Sequence, residues 1–191
     1  MKNILIINGN PKRESLSLAL CEAYAKGALS ANARVKTLHL SDLKLPEYFK
    51  QDYKTEDSTA VKALQKDILW AQHLVWVYPT WWYTPPALVK AFIEQVFTSG
   101  FAFKYKENPY RVDWESFLTG KTAHIISTMD APPLYYRWIV KNPGGKQMKH
   151  FLKFCGLKPI RQTYFGSVIK STDKKRQQWL TKVETLGKQL K

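Results

Sequence analysis

The feature that most constrains this chain is an alternation. Short runs of apolar, β-favouring residues are each followed by a longer segment whose apolar residues recur at helical spacing. Ile4 to Ile7 is apolar without interruption, the pattern of a strand buried on both faces. Leu16, Leu20, Tyr24 and Ala28 follow at i, i+4 steps and predict a helix. Val35 to Leu40 is a second, more alternating strand, and Val61, Leu64, Ile68 and Ala71 mark a second helix face. Leu74 to Tyr78 is a third strand, apolar throughout. Pro86 then stands where a first helical residue needs no N–H, and the helix runs from Pro86 to about Thr98. It is apolar nearly all round, which predicts burial in the core or against a second subunit. Thr122 to Ser127 is a fourth strand, and Met148, Phe151, Leu152 and Cys155 form a helical stripe stopped by Gly156 and Pro159. Ile160 to Phe165 is a fifth strand, and Trp179, Val183, Leu186 and Leu190 mark the last helix.

Parallel neighbours need crossover helices, so this order predicts an α/β fold. The expected form is a doubly wound five-stranded parallel sheet, order 2-1-3-4-5, with helices on both faces. No repeat, low-complexity tract or domain-separating linker interrupts the pattern, so residues 1–191 read as one domain. The longest irregular stretches are Asp42–Thr55, Gly100–Gly120 and Asp130–Lys146, and long loops in a compact domain are usually functional or touch a partner.

Composition narrows the class. Hydrophobic residues make up 45% and aromatics 14%, too many for a disordered tail. No apolar run approaches the ~20 residues needed to cross a bilayer, and the stretch at Ile4–Ile7 is too short for a signal peptide. Cys21 and Cys155 show neither CxxC spacing nor a disulfide framework. The expectation is a cytoplasmic globular protein with free thiols and no transmembrane segment. Thirty Lys+Arg against fifteen Asp+Glu give a net charge of +15. That charge admits nucleic acid, an anionic membrane surface or an anionic small ligand. Basic residues are enriched towards the C-terminus but belong to no zinc-finger, RRM or helix-turn-helix signature, so no specific nucleic-acid partner is expected. His39, His73, His124 and His150 fit no metal-ligand spacing, and Cys155 belongs to an apolar stripe.

In open α/β sheets, ligands bind beyond the carboxyl ends of the strands. Three loops leave those ends. The first, Asn8 to Ser17, leads from a buried strand into a helix. Helix-start N–H groups with Ser15, Ser17, Lys12 and Arg13 suit a phosphate; an ordinary turn with an N-cap serine is the alternative. Gly9 stands alone, so the loop is neither GxGxxG nor a Walker A motif. The second loop, Tyr78 to Pro86, holds Trp81, Trp82 and Tyr83 among three prolines. Rings so placed would wall a planar aromatic ligand, or form a subunit interface or local core. The third loop carries Ser127, Thr128, Met129, Asp130, Tyr135, Tyr136 and Trp138, either as ligand contacts or as a Pro-rich turn packed on the last helix.

Taken together, these loops resemble the flavodoxin-like NAD(P)H:quinone oxidoreductases, the family of DT-diaphorase, modulator-of-drug-activity and potassium-efflux ancillary proteins. Asn8-Gly9-Asn10-Pro11 to Ser17 resembles the family's first flavin loop. Pro79-Thr80-Trp81-Trp82-Tyr83 with Pro86 to Phe97 resembles its P-x-x-W-[FW]-x-x-P-A-x-x-K segment. Gly100-Phe101-Ala102-Phe103 resembles its G-F-A-[FY] signature, and Leu118 to Lys121 fits as well.

The resemblance implies non-covalent FAD or FMN at a homodimer interface, with NAD(P)H as donor. By it, Asn10, Lys12, Ser15, Leu16 and Ser17 would serve the phosphate end. Pro79, Thr80, Trp81, Trp82 and Tyr83 would line the ring, with Trp82 and Tyr83 nearest. Ser127, Thr128, Met129 and Asp130 would meet its other edge, and Tyr135 or Tyr136 would handle charge during hydride transfer. Two departures stand out: Met129-Asp130 replaces a common Gly-Gly, and Asn10 a common His. Asp130 would repel an anionic reduced flavin or reshape the pocket. The expected activity is ping-pong two-electron reduction of a quinone, nitroaromatic or azo compound. The alternative is a flavin-binding regulatory or ancillary module with little turnover.

Overall fold

In a parallel sheet covered on both faces, successive side chains of one strand must enter two different cores. The first strand, β1 (Asn3–Asn8), does this. Ile4 and Ile6 join a core with Leu20, Tyr24, Trp179 and Val183. Leu5 and Ile7 join another with Leu64, Phe92, Met148 and Leu152. All four isoleucine and leucine side chains are essentially inaccessible. This computed structural model describes residues 1–44, 58–107 and 110–190. Most of the stretch Asp42–Thr55 read as irregular lies outside the described residues.

The remaining elements are α1 (Leu16–Ser30), β2 (Arg34–His39), α2 (Thr59–Trp70), β3 (His73–Pro79) and α3 (Ala87–Val96). Then come β4 (Phe103–Lys106), β5 (Asp113–Ser116), β6 (Thr122–Thr128), α4 (Pro143–Phe154), β7 (Ile160–Phe165) and α5 (Asp173–Lys188). The main sheet has the order β2-β1-β3-β6-β7, and its neighbours pair in parallel. With the β4–β5 hairpin set aside, this is the expected 2-1-3-4-5. Helices α1 and α5 cover one face, and α2, α3 and α4 cover the other.

Three local features set up the carboxyl edge of the sheet. Trp76 of β3 is fully buried and packs against Phe92, Phe97 and Phe151 at centroid distances of 5.9, 6.0 and 6.1 Å. This aromatic cluster anchors the strand that carries the aromatic loop. Helix α3 turns Val89, Ala91, Phe92, Gln95 and Val96 inward, while Lys90 and Glu94 pair on its exposed side. Its apolar character is therefore met largely within this chain. Last, the stretch Gly100–Gly120, read as irregular, contains the antiparallel hairpin of β4 and β5. It is held to the end of α4, where Trp114 stacks on Phe154 at 4.7 Å and donates its indole N–H to the Phe154 carbonyl at 3.1 Å. Four-residue strands such as Phe103-Lys104-Tyr105-Lys106 are too short for periodicity to distinguish from loop.

Candidate functional site

Strands β1, β3 and β6 end side by side, so the loops that follow them converge. The first loop is built by two asparagines. Asn8 Oδ1 accepts from the Asn10 N–H at 3.1 Å, and Asn10 Oδ1 accepts from the Lys12 N–H at 2.9 Å. Such side-chain turns bend the backbone without a glycine pair. The one glycine, Gly9, is required for space, since a Cβ there would lie 2.4 Å from Val89 Cγ2.

The loop then enters α1 through Ser15, an extended N-cap whose Oγ accepts from the Leu18 N–H at 3.2 Å. The N-cap reading of Ser15 is thus realised. An α-helix leaves its first N–H groups without intrahelical acceptors. Here those are the N–H groups of Leu16 and Ser17. Ser17 is buried, and its Oγ accepts from Asn10 Nδ2 at 3.2 Å, which leaves its own hydroxyl proton to donate.

The second loop is a tight aromatic turn. Trp81 and Thr84 exchange backbone hydrogen bonds of 2.9 and 3.0 Å. Between them Trp82 and Tyr83 both lie in the left-handed region, with φ of 49° and 68°. A two-residue hairpin with both central residues left-handed belongs to the I′ class, where Asn and Gly are the usual occupants. Tryptophan and tyrosine there are strained.

The third loop is tied to the second. Thr80 N–H donates to the Thr128 carbonyl at 2.7 Å, and Thr80 Oγ1 lies 2.6 Å from Ser127 Oγ. It is also tied to the segment after β7. The Met129 N–H donates to Phe165 O, and the Asp130 carboxylate accepts from the Ile169 N–H at 2.9 Å.

These loops enclose a cleft of about 230 Å³ lined by Asn10, Lys12, Leu16, Ser17, Pro79, Thr80, Trp81, Thr128, Met129 and Asp130, together with Val168 and Ile169. The first ten are expected from the sequence and Val168 and Ile169 are not; Ser15 and Tyr83, expected at the phosphate and the ring, are not part of this lining. Val168 and Ile169 are brought in by β7 pairing with β6 and are held by Asp130 and by Arg176, which donates to Val168 O. No local motif marks them. Ser127 is buried and is not part of the lining, although its hydroxyl meets that of Thr80, which is. Trp82, 93% exposed, faces a neighbouring depression of about 420 Å³ on the other side of the turn, lined also by Trp81, Pro85, Lys90 and Met148.

The two tyrosines proposed for charge handling separate. Tyr135 is exposed on a single π-helical turn (Tyr135–Ile139). Tyr136 is buried and lines neither cavity; its hydroxyl donates to Tyr83 O at 2.8 Å. Burial raises its pKa, with the Gly144 and Gly145 N–H groups opposing. Burial also pushes the neighbouring Tyr164 hydroxyl up to about 12, as it does the thiol of Cys155. Cys155 therefore sits in the core as a neutral thiol. His73 and His124 are buried beside Thr122 and Thr163, at 2.6 and 2.8 Å.

The donor set suits a flavin phosphate and ring. One part of the cleft offers helix-start N–H groups, hydroxyls and the Lys12 ammonium; another offers Pro79, Trp81 and Met129 as flat or apolar wall. Asp130 is the one anion in the lining, and its carboxylate is engaged with the Ile169 N–H.

The topology and the position of the cleft define a flavodoxin-like α/β protein. A family model described as "Flavodoxin-like fold" matches residues 2–186, and the chain belongs to that family. It is 25% identical over 163 residues to the ribosyldihydronicotinamide dehydrogenase [quinone] of Rattus norvegicus, a match covering 75% of this chain and 68% of that one. It is 29% identical over 110 residues to the uncharacterized NAD(P)H oxidoreductase YcaK of Escherichia coli (strain K12), covering 53% and 56% respectively, so that match spans little more than half of each chain. Among solved structures, Smu.1420 from Streptococcus mutans UA159 superposes with a TM-score of 0.86 at 28% identity, covering 98% of this chain and 99% of that one.

Proposed function

We propose that this protein holds a flavin, FMN or FAD, non-covalently in the cleft and uses it to pass electrons from NAD(P)H to a quinone or a related aromatic acceptor. The observation that carries the reading is the meeting of an anion-suited helix start with a rigid aromatic turn in one cleft at the sheet's carboxyl edge. The relatives named for quinone dehydrogenase and NAD(P)H oxidoreductase activity support it.

When bound, the flavin supplies the two-electron hydride chemistry. The protein's part is to bind, orient and exclude water. The Leu16 and Ser17 N–H groups, the Ser15 and Ser17 hydroxyls and Lys12 would hold the phosphate. Trp81, Pro79 and Met129 would cover flat surface, and Thr80 and Thr128 would set the edge of the ring site. Donor and acceptor would occupy the same place in turn, which gives ping-pong kinetics. The net reaction moves one hydride from NAD(P)H and one proton from solvent to the quinone, leaving NAD(P)⁺ and hydroquinone. A second copy of the chain would cover the exposed Trp82 and the depression beside it, making a homodimer; exposed large side chains at Leu134, Trp138 and Ile139 support this.

The test is reconstitution. The purified protein is mixed with FMN and, separately, with FAD, and free flavin is removed by gel filtration. The expected result is a yellow protein that NADH or NADPH bleaches without oxygen and menadione recolours. Sedimentation of the same sample reads its oligomeric state. A protein that stays colourless with both flavins sinks this reading, and a yellow protein that neither NADH nor NADPH bleaches favours the ancillary-module alternative.

A further inference from the structure

The aromatic turn is an unusual object. Trp82 and Tyr83 each hold a left-handed backbone conformation that is sterically unfavourable for an L-residue, and two cross-turn hydrogen bonds close it. Trp82 is almost fully exposed and Tyr83 about half so, so side-chain burial at those two residues contributes little to holding them. Something else must over-determine the conformation.

The Tyr83 carbonyl shows what does. It accepts two hydrogen bonds, from Tyr136 Oη at 2.8 Å and from the Gly144 N–H at 3.1 Å. The Gly144 N–H also reaches Tyr136 Oη at 3.1 Å, so the three groups form a closed triangle. Tyr136 is 1% exposed, and its ring packs on Tyr164 at 5.8 Å. Gly144 is in the first turn of α4, and a Cβ there would lie 2.6 Å from the Tyr83 carbonyl oxygen. The start of α4 is fastened in turn. Asn142, itself left-handed at φ 53°, accepts from the Tyr164 hydroxyl at 2.9 Å and donates to Gln162 Oε1 at 3.2 Å. The turn is therefore tied through Tyr136 and α4 to β7, on the far side of β6.

We infer that Tyr136 is a positioning residue: its hydroxyl, with the Gly144 N–H, holds the Tyr83 carbonyl and so keeps the aromatic turn in its left-handed form. The consequence for flavin binding rests on the function proposed above; the fixing of the turn does not. Tyr136 touches neither cavity. It acts on the site through the backbone of Tyr83, by keeping Trp81 in the cleft wall.

Hydrogen exchange read by mass spectrometry on residues 80–86 of the flavin-free protein tests the fixing directly. In the wild type the Trp81 and Thr84 amides, which close the turn, are protected. In Tyr136→Phe, which keeps the ring and its packing, exchange in that segment speeds up by about tenfold while β1 and β6 stay protected; that is the scale of one lost hydrogen bond. Tyr83→Gly in the Tyr136→Phe background restores protection, because glycine needs no clamp at positive φ. Tyr105→Phe, which removes a phenol from the β4–β5 hairpin, changes nothing in that segment. Flavin titration of the same proteins shows affinity about tenfold weaker in Tyr136→Phe.

Unprotected Trp81 and Thr84 amides in the wild type overturn the inference without any variant. Wild-type exchange and wild-type flavin affinity in Tyr136→Phe overturn it too. Loss of protection throughout the Tyr136→Phe protein would make Tyr136 a general structural residue and also overturn it. A wild type that binds no flavin, with the local exchange change intact, sinks the proposed function and leaves the clamp standing.

Discussion

Tyr83 concentrates the residue-scale physics of this protein. Its side chain is half exposed, its φ is 68°, and its carbonyl is the anchor point of Tyr136 and Gly144. A residue with little buried contact in a strained conformation marks a place where backbone shape is what matters. Glycine accepts that shape without steric cost, whereas a β-branched side chain is the worst fit for it. Tyr83→Val is therefore expected to be less stable than Tyr83→Gly by about 1–2 kcal/mol in urea unfolding, although both lose the same ring. Equal midpoints and slopes would show that the position is not strained. The aromatic residues of this turn were legible in the sequence, and Trp81 lines the cleft as expected. The conformation of Trp82 and Tyr83 was not legible, because Trp-Tyr is no turn signal and the clamp comes from residues more than fifty positions away. For the same reason Tyr136, one of two tyrosines expected to handle charge, lies inside the protein with its hydroxyl bound to backbone.

At the scale of elements, α1 and α5 approach each other backbone to backbone. A Cβ on Gly27 would sit 1.9 Å from the Glu184 carbonyl oxygen, and one on Gly187 would sit 2.2 Å from the Tyr24 carbonyl oxygen. The two glycines let the helix backbones touch from both sides, which draws Leu20 and Tyr24 onto Val75, Val77 and Val183. Alanine in a helix interior normally gains about 1 kcal/mol over glycine. Here Gly27→Ala must push α5 away, and overpacking of this kind costs about 1–3 kcal/mol or more. The expected outcome is a net loss of stability, seen as a melting temperature lowered by several degrees. A melting temperature that rises would show that the helices can separate freely. Helices α1 and α5 themselves were plain from their apolar spacing. Their contact was not, since helical periodicity shows which face is buried and not what it meets. The β4–β5 hairpin shows the opposite limit: its strands are too short to carry a period, and Phe154 of α4 supplies the surface that orders them.

For the molecule as a whole, the net charge of +15 becomes specific once the cleft is in place. A basic surface raises the local concentration of anionic ligands, and salt screens that attraction over a length of about 10 Å at 0.1 M. Under the proposed function, the KM for NADPH should rise several-fold between about 20 and 300 mM salt, while the KM for an uncharged quinone should not. Parallel changes for both would assign the charge no role in donor capture. The sequence by itself determined the alternation of strands and helices, the sheet order and most of the cleft, including Asn10, Ser17, Thr80, Trp81 and Thr128. Hydrophobic period and the carboxyl-edge rule located the elements and the three loops, and the individual cleft residues came with the family resemblance of those loops. Tertiary structure alone decided that Val168 and Ile169 close the cleft, that Asp130 holds Ile169, and that Tyr136 supports the turn from within. Each depends on which distant segments lie across a hydrogen bond from one another, and such pairings leave no mark on the local sequence.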